Sequence, residues 1–246
     1  MTLFLTSSPG GNYKEDGKRY PCEMDGSNQF LTRLRAALPE SPRCLFISSD
    51  PADYETNDSI YRIFIESHRM SGLPLGECVM CDDRNCGRIA ELIARSDYII
   101  FCGGHVPTQN AFFHRIGLKE KLAGFQGVIM GISAGTMNSA ELVYAQPELE
   151  GEALDPAYNR YLTGLGLTDI RVLPHFQYLR DLTLDGLRIV EDISLPDSRI
   201  HPFYALVDGS YLYIADGKTI LCGEAYYFAE GRMTQISSVN EEIVLD

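Results

Sequence analysis

No apolar run in this chain approaches the ~18 residues needed to cross a bilayer, so a membrane-spanning helix is not expected. The N-terminal stretch MTLFLTSSPGG has no basic start, and its apolar part is too short for an export signal. It reads instead as a buried strand, and the expected compartment is the cytoplasm. Basic residues are scarce: 21 Lys and Arg stand against 34 Asp and Glu, for a formal net charge of −13. An acidic surface repels phosphate backbones, and no basic run marks a membrane footprint, so neither nucleic acid nor a membrane is an expected partner. Cys78, Cys81 and Cys86 include one CxxC, but no second CxxC and no HxxxH follows to complete a zinc site. The seven cysteines are expected to be reduced thiols, with no metal and no cofactor. There is no internal repeat and no low-complexity linker. A length of 246 residues suits one domain over residues 1–246.

What the chain does contain is an alternation of apolar and helix-period segments. TLFLTSS, RCLFISSD, GECVMCD, DYIIFCGG, GVIMGIS and DIRVLPHF read as strands. SNQFLTRLRAAL, CGRIAELIARS and TQNAFFHRIGLKEKLAG read as helices. DSIYRIFIESHRMSG reads as a helix with Asp58 as its N-cap, closing before Gly72. DLTLDGLRIVEDIS is also expected to be helical. Strands apolar on both faces and separated by helices imply a buried parallel sheet with right-handed crossovers. After residue 202 the pattern changes to short strands with DG, CGE and EGR turns, an antiparallel series. The expected fold is therefore α/β: a doubly wound, mostly parallel sheet flanked by helices, with antiparallel C-terminal strands. Residues 147–160 read as a long exposed excursion. The tyrosine-rich tail is suited either to covering a sheet edge or to forming a homodimer contact.

Gly131-Ile132-Ser133-Ala134-Gly135 is the sharpest local signal. A G-x-S-x-G turn between a strand and a helix (here TMNSAEL) places its serine on a tight bend, and the helix aims its N–H groups at the same point. The bare pattern occurs by chance in about one chain in ten of this length, so its strand–turn–helix context carries the weight. That context points to a serine hydrolase with Ser133 as nucleophile. A serine nucleophile needs a base, and the base needs an orienting acid. His105 and His175 both fall at carboxyl ends of predicted strands, where ligands bind in parallel sheets, and periodicity does not choose between them. For the acid, Asp208 ends the strand FYALV, although an Asp-Gly turn is also an ordinary hairpin. Asp155, Asp169, Asp181 and Glu191 compete with it.

Four segments in order, YIIFCGG, GISAG, LPHF and LVDGSYLYI, resemble the peptidase E family of serine peptidases, which also includes cyanophycinases. The family's fold resembles that of class I glutamine amidotransferases. The resemblance implies Ser133 as nucleophile, His175 as base and Asp208 as orienting acid, with the backbone N–H groups of Gly104 and Ala134 as the oxyanion hole. It further implies a small peptide substrate, which the acidic surface also suits. There are departures. The family's dipeptidases carry glutamate where this chain has Asp208, and their strand end is three glycines and an asparagine where this chain has Cys102-Gly103-Gly104-His105. Their arginine for an aspartyl carboxylate has no counterpart at the matching place. His105, beside the proposed hole, and Arg180 are the candidate substrate-binding residues, with Arg188 near Arg180. Two other readings stand beside this one. The altered strand end would suit an amidotransferase-like binding domain without hydrolysis. An ordinary α/β-hydrolase esterase is disfavoured by the order Ser–His–acid and by the missing HGGG motif.

Overall fold

The computed structural model describes residues 1–245. The strands read from the first half of the chain join in one sheet. In spatial order its parallel part runs Thr2–Thr6, Val128–Ile132, Tyr98–Phe101, Cys44–Ile47, Cys78–Cys81, and every neighbouring pair is parallel. Tyr211–Ala215, Lys218–Cys222 and Glu242–Leu245 extend it antiparallel beyond Thr2–Thr6. The doubly wound, mostly parallel sheet with antiparallel C-terminal strands is thus present.

Its strands are apolar on both faces because both faces are covered. Leu5, Ile47, Phe101 and Ile129 point to one side and pack with Ile89, Leu92, Phe112 and Phe113 of the helices Ile89–Ala94 and Val106–Arg115. Phe4, Phe46, Ile100 and Met130 point to the other and pack with Phe30, Leu34 and Phe64 of Phe30–Ala37 and Tyr54–Met70. Each such side chain contributes roughly 1.5–3 kcal/mol by leaving water. The same alternation separates the CxxC thiols: Cys78 packs on the second cluster and Cys81 on the first.

A second sheet holds Val172–Leu173, Phe203–Leu206, Ala225–Ala229 and Arg232–Ser237 in that order, the first pair parallel and the rest antiparallel. It has its own aromatic core, in which the rings of Phe203 and Phe228 stack at 4.9 Å. Residues 207–210 carry the chain from this sheet back to the first, so Asp208-Gly209 is a crossing between sheets and not a hairpin turn.

Several boundaries differ from the sequence reading. The helix expected from Asp58 begins at Tyr54, because the Asp53 side chain caps it by accepting from the Thr56 N–H at 3.1 Å. Asp58 lies inside it and pairs with Arg84 at 2.6 Å. Gly117, in the left-handed region, splits the next long helix into Val106–Arg115 and Leu118–Lys121. The helix after the elbow is only Ala134–Met137, and the chain then forms a strand, Leu142–Tyr144, paired with Tyr161–Thr163. In DLTLDGLRIVEDIS, Asp185 and Gly186 both take positive φ and turn a short hairpin, leaving only Ile189–Ser194 helical before Leu195–Asp197. The sequence reading missed a hairpin, Gly10–Glu15 with Lys18–Met24, that turns at Asp16-Gly17. Its arms lie largely at the surface and mix charged residues with glycine, tyrosine and proline, so they lack the apolar alternation that marks a strand. Among the described residues no helix is long and apolar enough to cross a membrane.

Candidate active site

The strand Val128–Ile132 runs straight into Ser133, whose backbone sits at φ 51° and ψ −111°. A non-glycine residue there stores on the order of 1–3 kcal/mol, and it persists only if its surroundings hold it. Here the Ser133 N–H donates to the carbonyls of Thr6 (3.2 Å) and Ser7 (3.1 Å) on the neighbouring strand. The Thr136 hydroxyl donates to the Thr6 carbonyl at 2.7 Å, and the Thr6 hydroxyl donates to the Gly131 carbonyl at 2.8 Å. The two glycines of the motif are required by close approach. A Cβ on Gly131 would stand 2.8 Å from Thr136 Cα, and one on Gly135 would collide with the carbonyl oxygen of Phe101.

His175 and Asp208 arrive from the second sheet. Val172–Leu173 and Phe203–Leu206 are parallel neighbours, so the residues that follow them emerge at one edge. His175 Nε2 lies 2.9 Å from Ser133 Oγ, and its Nδ1 lies 2.7 Å from Asp208 Oδ1. An ionised carboxylate only accepts, so Nδ1 carries the proton and Nε2 presents a lone pair to the serine hydroxyl. Burial pushes the Asp208 carboxyl up. The hydrogen bond and charge of His175, with Ser7 and Gln177, outweigh it and hold the group below the ordinary aspartate value. Among the other acids considered, Asp155 accepts from the Ala157 N–H at 2.8 Å. Of the two candidate histidines, His175 is the one against Ser133.

Ser7, fully buried at the end of the first strand, ties this group together. Its hydroxyl donates to Asp208 Oδ1 at 2.8 Å and accepts the His175 backbone N–H at 2.8 Å. His175 itself is in the left-handed region, at φ 58°. The Asp208 N–H donates to Gln177 Oε1 at 3.1 Å. Gly103 and Gly104 continue the strand Tyr98–Phe101 past Ser133. A Cβ on Gly103 would come within 3.3 Å of Ser133 Cβ, and one on Gly104 would collide with Ser49 Oγ. Ala134 opens the short helix, so its N–H has no acceptor within that helix.

These residues border a cleft of about 420 Å³, lined by Ser133, His175, Gly104, Gln146, Glu148 and Arg19 among others. Residues 147–160 form a strap beside it. The strap is exposed at Leu149 and Leu154, as the sequence suggests, but it is also fastened. Glu152 Oε1 accepts from His105 Nε2 at 2.8 Å, and Oε2 accepts the N–H groups of Glu148 and Leu149 at 2.9 Å. Asp185 accepts the N–H of Gly151 at 2.8 Å and of Ala153 at 3.0 Å. With Nε2 donating, His105 Nδ1 accepts from the Thr108 hydroxyl at 2.8 Å. Burial, and then the charge of Glu152, push the Glu148 carboxyl up to about 7 against the opposing pull of His175. The Glu148 side chain is nonetheless exposed to solvent, so screening by water weakens that push.

The structure therefore brings Ser133, His175 and Asp208 together, with Gly104 and Ala134 beside them. It does not bring His105 or Arg180 to the cleft. His105 is taken up by the strap. Arg180 donates to the Tyr226 hydroxyl at 2.8 Å and lies over the rings of Phe176 and Tyr226, 5.3 Å from each centroid. Arg188 pairs with Asp192 at 2.8 Å. The sequence reading missed Ser7, Arg19, Glu148 and Glu152. Ser7 had a signal, since it ends a strand at the same carboxyl edge as the elbow.

This combination of sheet and elbow is that of an α/β hydrolytic enzyme. The family model of Peptidase family S51 matches residues 25–222, most of the chain; the chain belongs to this family and is a peptidase. No curated protein sequence matches it. In fold it is similar to a solved structure from Listeria monocytogenes EGD-e, a protein provisionally assigned as peptidase E. The TM-score is 0.57 at 16% identity, covering 96% of this chain and 98% of that one. The peptidase E resemblance carried by the four segments holds.

Proposed function

We propose that this peptidase works through a Ser133–His175–Asp208 triad and an acyl-enzyme, and that its substrates are short peptides. The observation that carries the reading is the unbroken hydrogen-bonded line from Asp208 through His175 to Ser133, at 2.7 and 2.9 Å. As Ser133 Oγ attacks a peptide carbonyl carbon, His175 Nε2 takes the hydroxyl proton. Asp208 fixes the imidazole tautomer and stabilises the imidazolium that forms. The N–H groups of Gly104 and Ala134 are suited to the negative charge that develops on the carbonyl oxygen. His175 then hands its proton to the leaving amine, the C–N bond breaks, and an ester to Ser133 remains. Water, deprotonated by the same nitrogen, attacks that ester and releases the acid, restoring Ser133. A cleft of about 420 Å³ walled by the strap supports a short substrate over a folded protein.

The test is labelling of the intact protein with a fluorophosphonate, located by peptide mapping, beside Ser133→Ala and His175→Ala. The expected result is modification at Ser133 in the wild type and none in either variant. Peptide hydrolysis should fall by at least about four orders of magnitude in each. Correctly folded wild-type protein that does not react would overturn the proposal.

A further inference from the structure

One wall of the cleft is apolar, and the mechanism above gives it no task. Ile60, Ile63 and Phe64 line the same cleft as Ser133. At i, i+3 and i+4 they share one face of the helix Tyr54–Met70. Further along, the same face carries Ser67 and Ser71, and there the hairpin Gly10–Glu15 with Lys18–Met24 lies over it. A Cβ on Gly11 would collide with Ser67 Oγ, and the Met24 N–H donates to Ser71 Oγ at 2.8 Å. The serines are thus covered by protein, while the isoleucines are left to the cleft. Ile63 is only 7% exposed, yet it is part of neither core on the two faces of the sheet. Its apolar surface is not used up by the packing that holds the strands. Ile132, which precedes Ser133, carries the apolar lining up to the nucleophile. No charged side chain belongs to this wall. The charged groups of the cleft, Arg19, His175 and Glu148, come from the hairpin, the second sheet and the strap. Arg19 is exposed and donates to Asn12 Oδ1 at 3.2 Å.

We infer that Ile60, Ile63 and Phe64 receive the side chain of the substrate residue whose carbonyl Ser133 attacks, so that the peptidase selects an apolar residue there over an acidic one. The inference rests on Ser133 being the nucleophile. The strand Val128–Ile132, which leads into Ser133, lies between Thr2–Thr6 and Tyr98–Phe101. His175 is held on the Thr2–Thr6 side, by the Ser7 hydroxyl. The leaving amine must face His175 Nε2 to be protonated. The acyl residue is therefore left on the other side, past Tyr98–Phe101. The next strand there, Cys44–Ile47, leads into the helix that bears the apolar wall. An apolar side chain seated on that wall leaves water and displaces water from the isoleucines. A carboxylate seated there would lose its hydration with no donor on the wall to replace it, and it is selected against.

The experiment measures the rate at which Ser133 Oγ displaces phenol from the phosphorus of α-aminoalkylphosphonate diphenyl esters. All probes carry the same free amine. They differ only in the side chain on the adjoining carbon, which is hydrogen or that of leucine, aspartate or lysine. Each rate is divided by that of a small neutral fluorophosphonate, which has no such side chain. The proteins are the wild type, Ile60→Ala and Ile60→Lys, each checked by a thermal melt. Ile60 is the half-buried member of the wall, and the wild-type comparison needs no variant. In the wild type the leucine-like probe should react about tenfold faster than the hydrogen and aspartate-like probes, the lower end for burying such a side chain. Ile60→Ala should cut that preference by about threefold, close to the loss of one buried methylene, and Ile60→Lys should turn it toward the aspartate-like probe. Equal rates in the wild type would overturn the inference, as would a leucine preference undiminished in both folded variants. A wild-type preference for the aspartate-like probe would give the subsite to Arg19, and one for the lysine-like probe would give it to Glu148; either overturns the inference. Reaction with the fluorophosphonate alone would overturn it as well. Failure of every probe, including the fluorophosphonate, to modify Ser133 would strike the proposed nucleophile itself, a result distinct from the others.

Discussion

Ser7 offers the sharpest test of how the site is held. Ser7→Ala removes one hydroxyl and with it two hydrogen bonds, the donation to Asp208 Oδ1 and the acceptance of the His175 N–H, both 2.8 Å. The first is made to an ionised group and is worth about 1.5–3 kcal/mol, and the second leaves a donor unpaired at about 1–3 kcal/mol. Asp208 and His175 are each about a third exposed, at 29% and 35% of their side chains, and water recovers part of both. The expected loss of stability is therefore about 2 kcal/mol, or roughly 4–8 °C in Tm for a chain of this size. The catalytic effect has a different signature. His175 is held at φ 58°, and the Ser7 hydroxyl fixes its backbone, so losing it should misdirect Nε2. We expect kcat to fall about tenfold with KM unchanged, read from peptide hydrolysis beside a thermal melt. A variant with wild-type kcat, or one in which only KM rises, would refute the assignment of Ser7 as a positioning residue.

Two further outcomes follow from the same structure. Burial pulls His68 down from 6.5 to about 4, against the opposing bond from its ring to the Phe64 carbonyl at 2.7 Å. The unfolded chain therefore binds a proton that the folded chain does not, so stability is full above about pH 6.5 and falls as pH drops toward 4. Between pH 7.5 and pH 5 the expected loss is about 2 kcal/mol, measured by urea unfolding at both values. His68→Leu should remove most of that difference, and an unchanged pH dependence would refute the account. Gly135→Ala should drive a methyl group into the Phe101 carbonyl and destabilise the chain by about 3 kcal/mol. It should also abolish fluorophosphonate labelling, and a normal melt with normal labelling would show that the elbow has room to spare.

The sheet was legible because its strands are uniformly apolar and both faces are covered. The runs at Leu45–Ile47 and Tyr98–Phe101 carry that pattern with no competing signal. The elbow was legible because backbone crowding at Gly131 and Gly135 admits only glycine, which leaves a spacing that survives in one dimension. Choosing His175 over His105 was not possible from periodicity, since both end strands. The choice depends on Val172–Leu173 lying beside Phe203–Leu206, a pairing 32 residues apart that leaves no local mark. Glu148 was hidden for the same reason: its direction is set by Glu152 and His105, one from the strap and one from the end of a distant strand. The helix misread over 181–194 shows the opposite failure. There a helical period was present, and the Asp185-Gly186 turn overrode it.

The two sheets divide the catalytic line unequally. Ser133 and Ser7 directly follow strands of the eight-stranded sheet, whereas His175 and Asp208 follow adjacent strands of the four-stranded one. A slide of one sheet against the other would leave the histidine–aspartate pair whole and part it from the serine. The seam between the sheets thus acts as an alignment joint. The Ser7 hydroxyl is a rivet across that joint, and the 2.9 Å separation of Nε2 and Oγ is the gauge that reads it. An enzyme arranged this way has a route to losing its activity by misalignment alone, with every strand still folded.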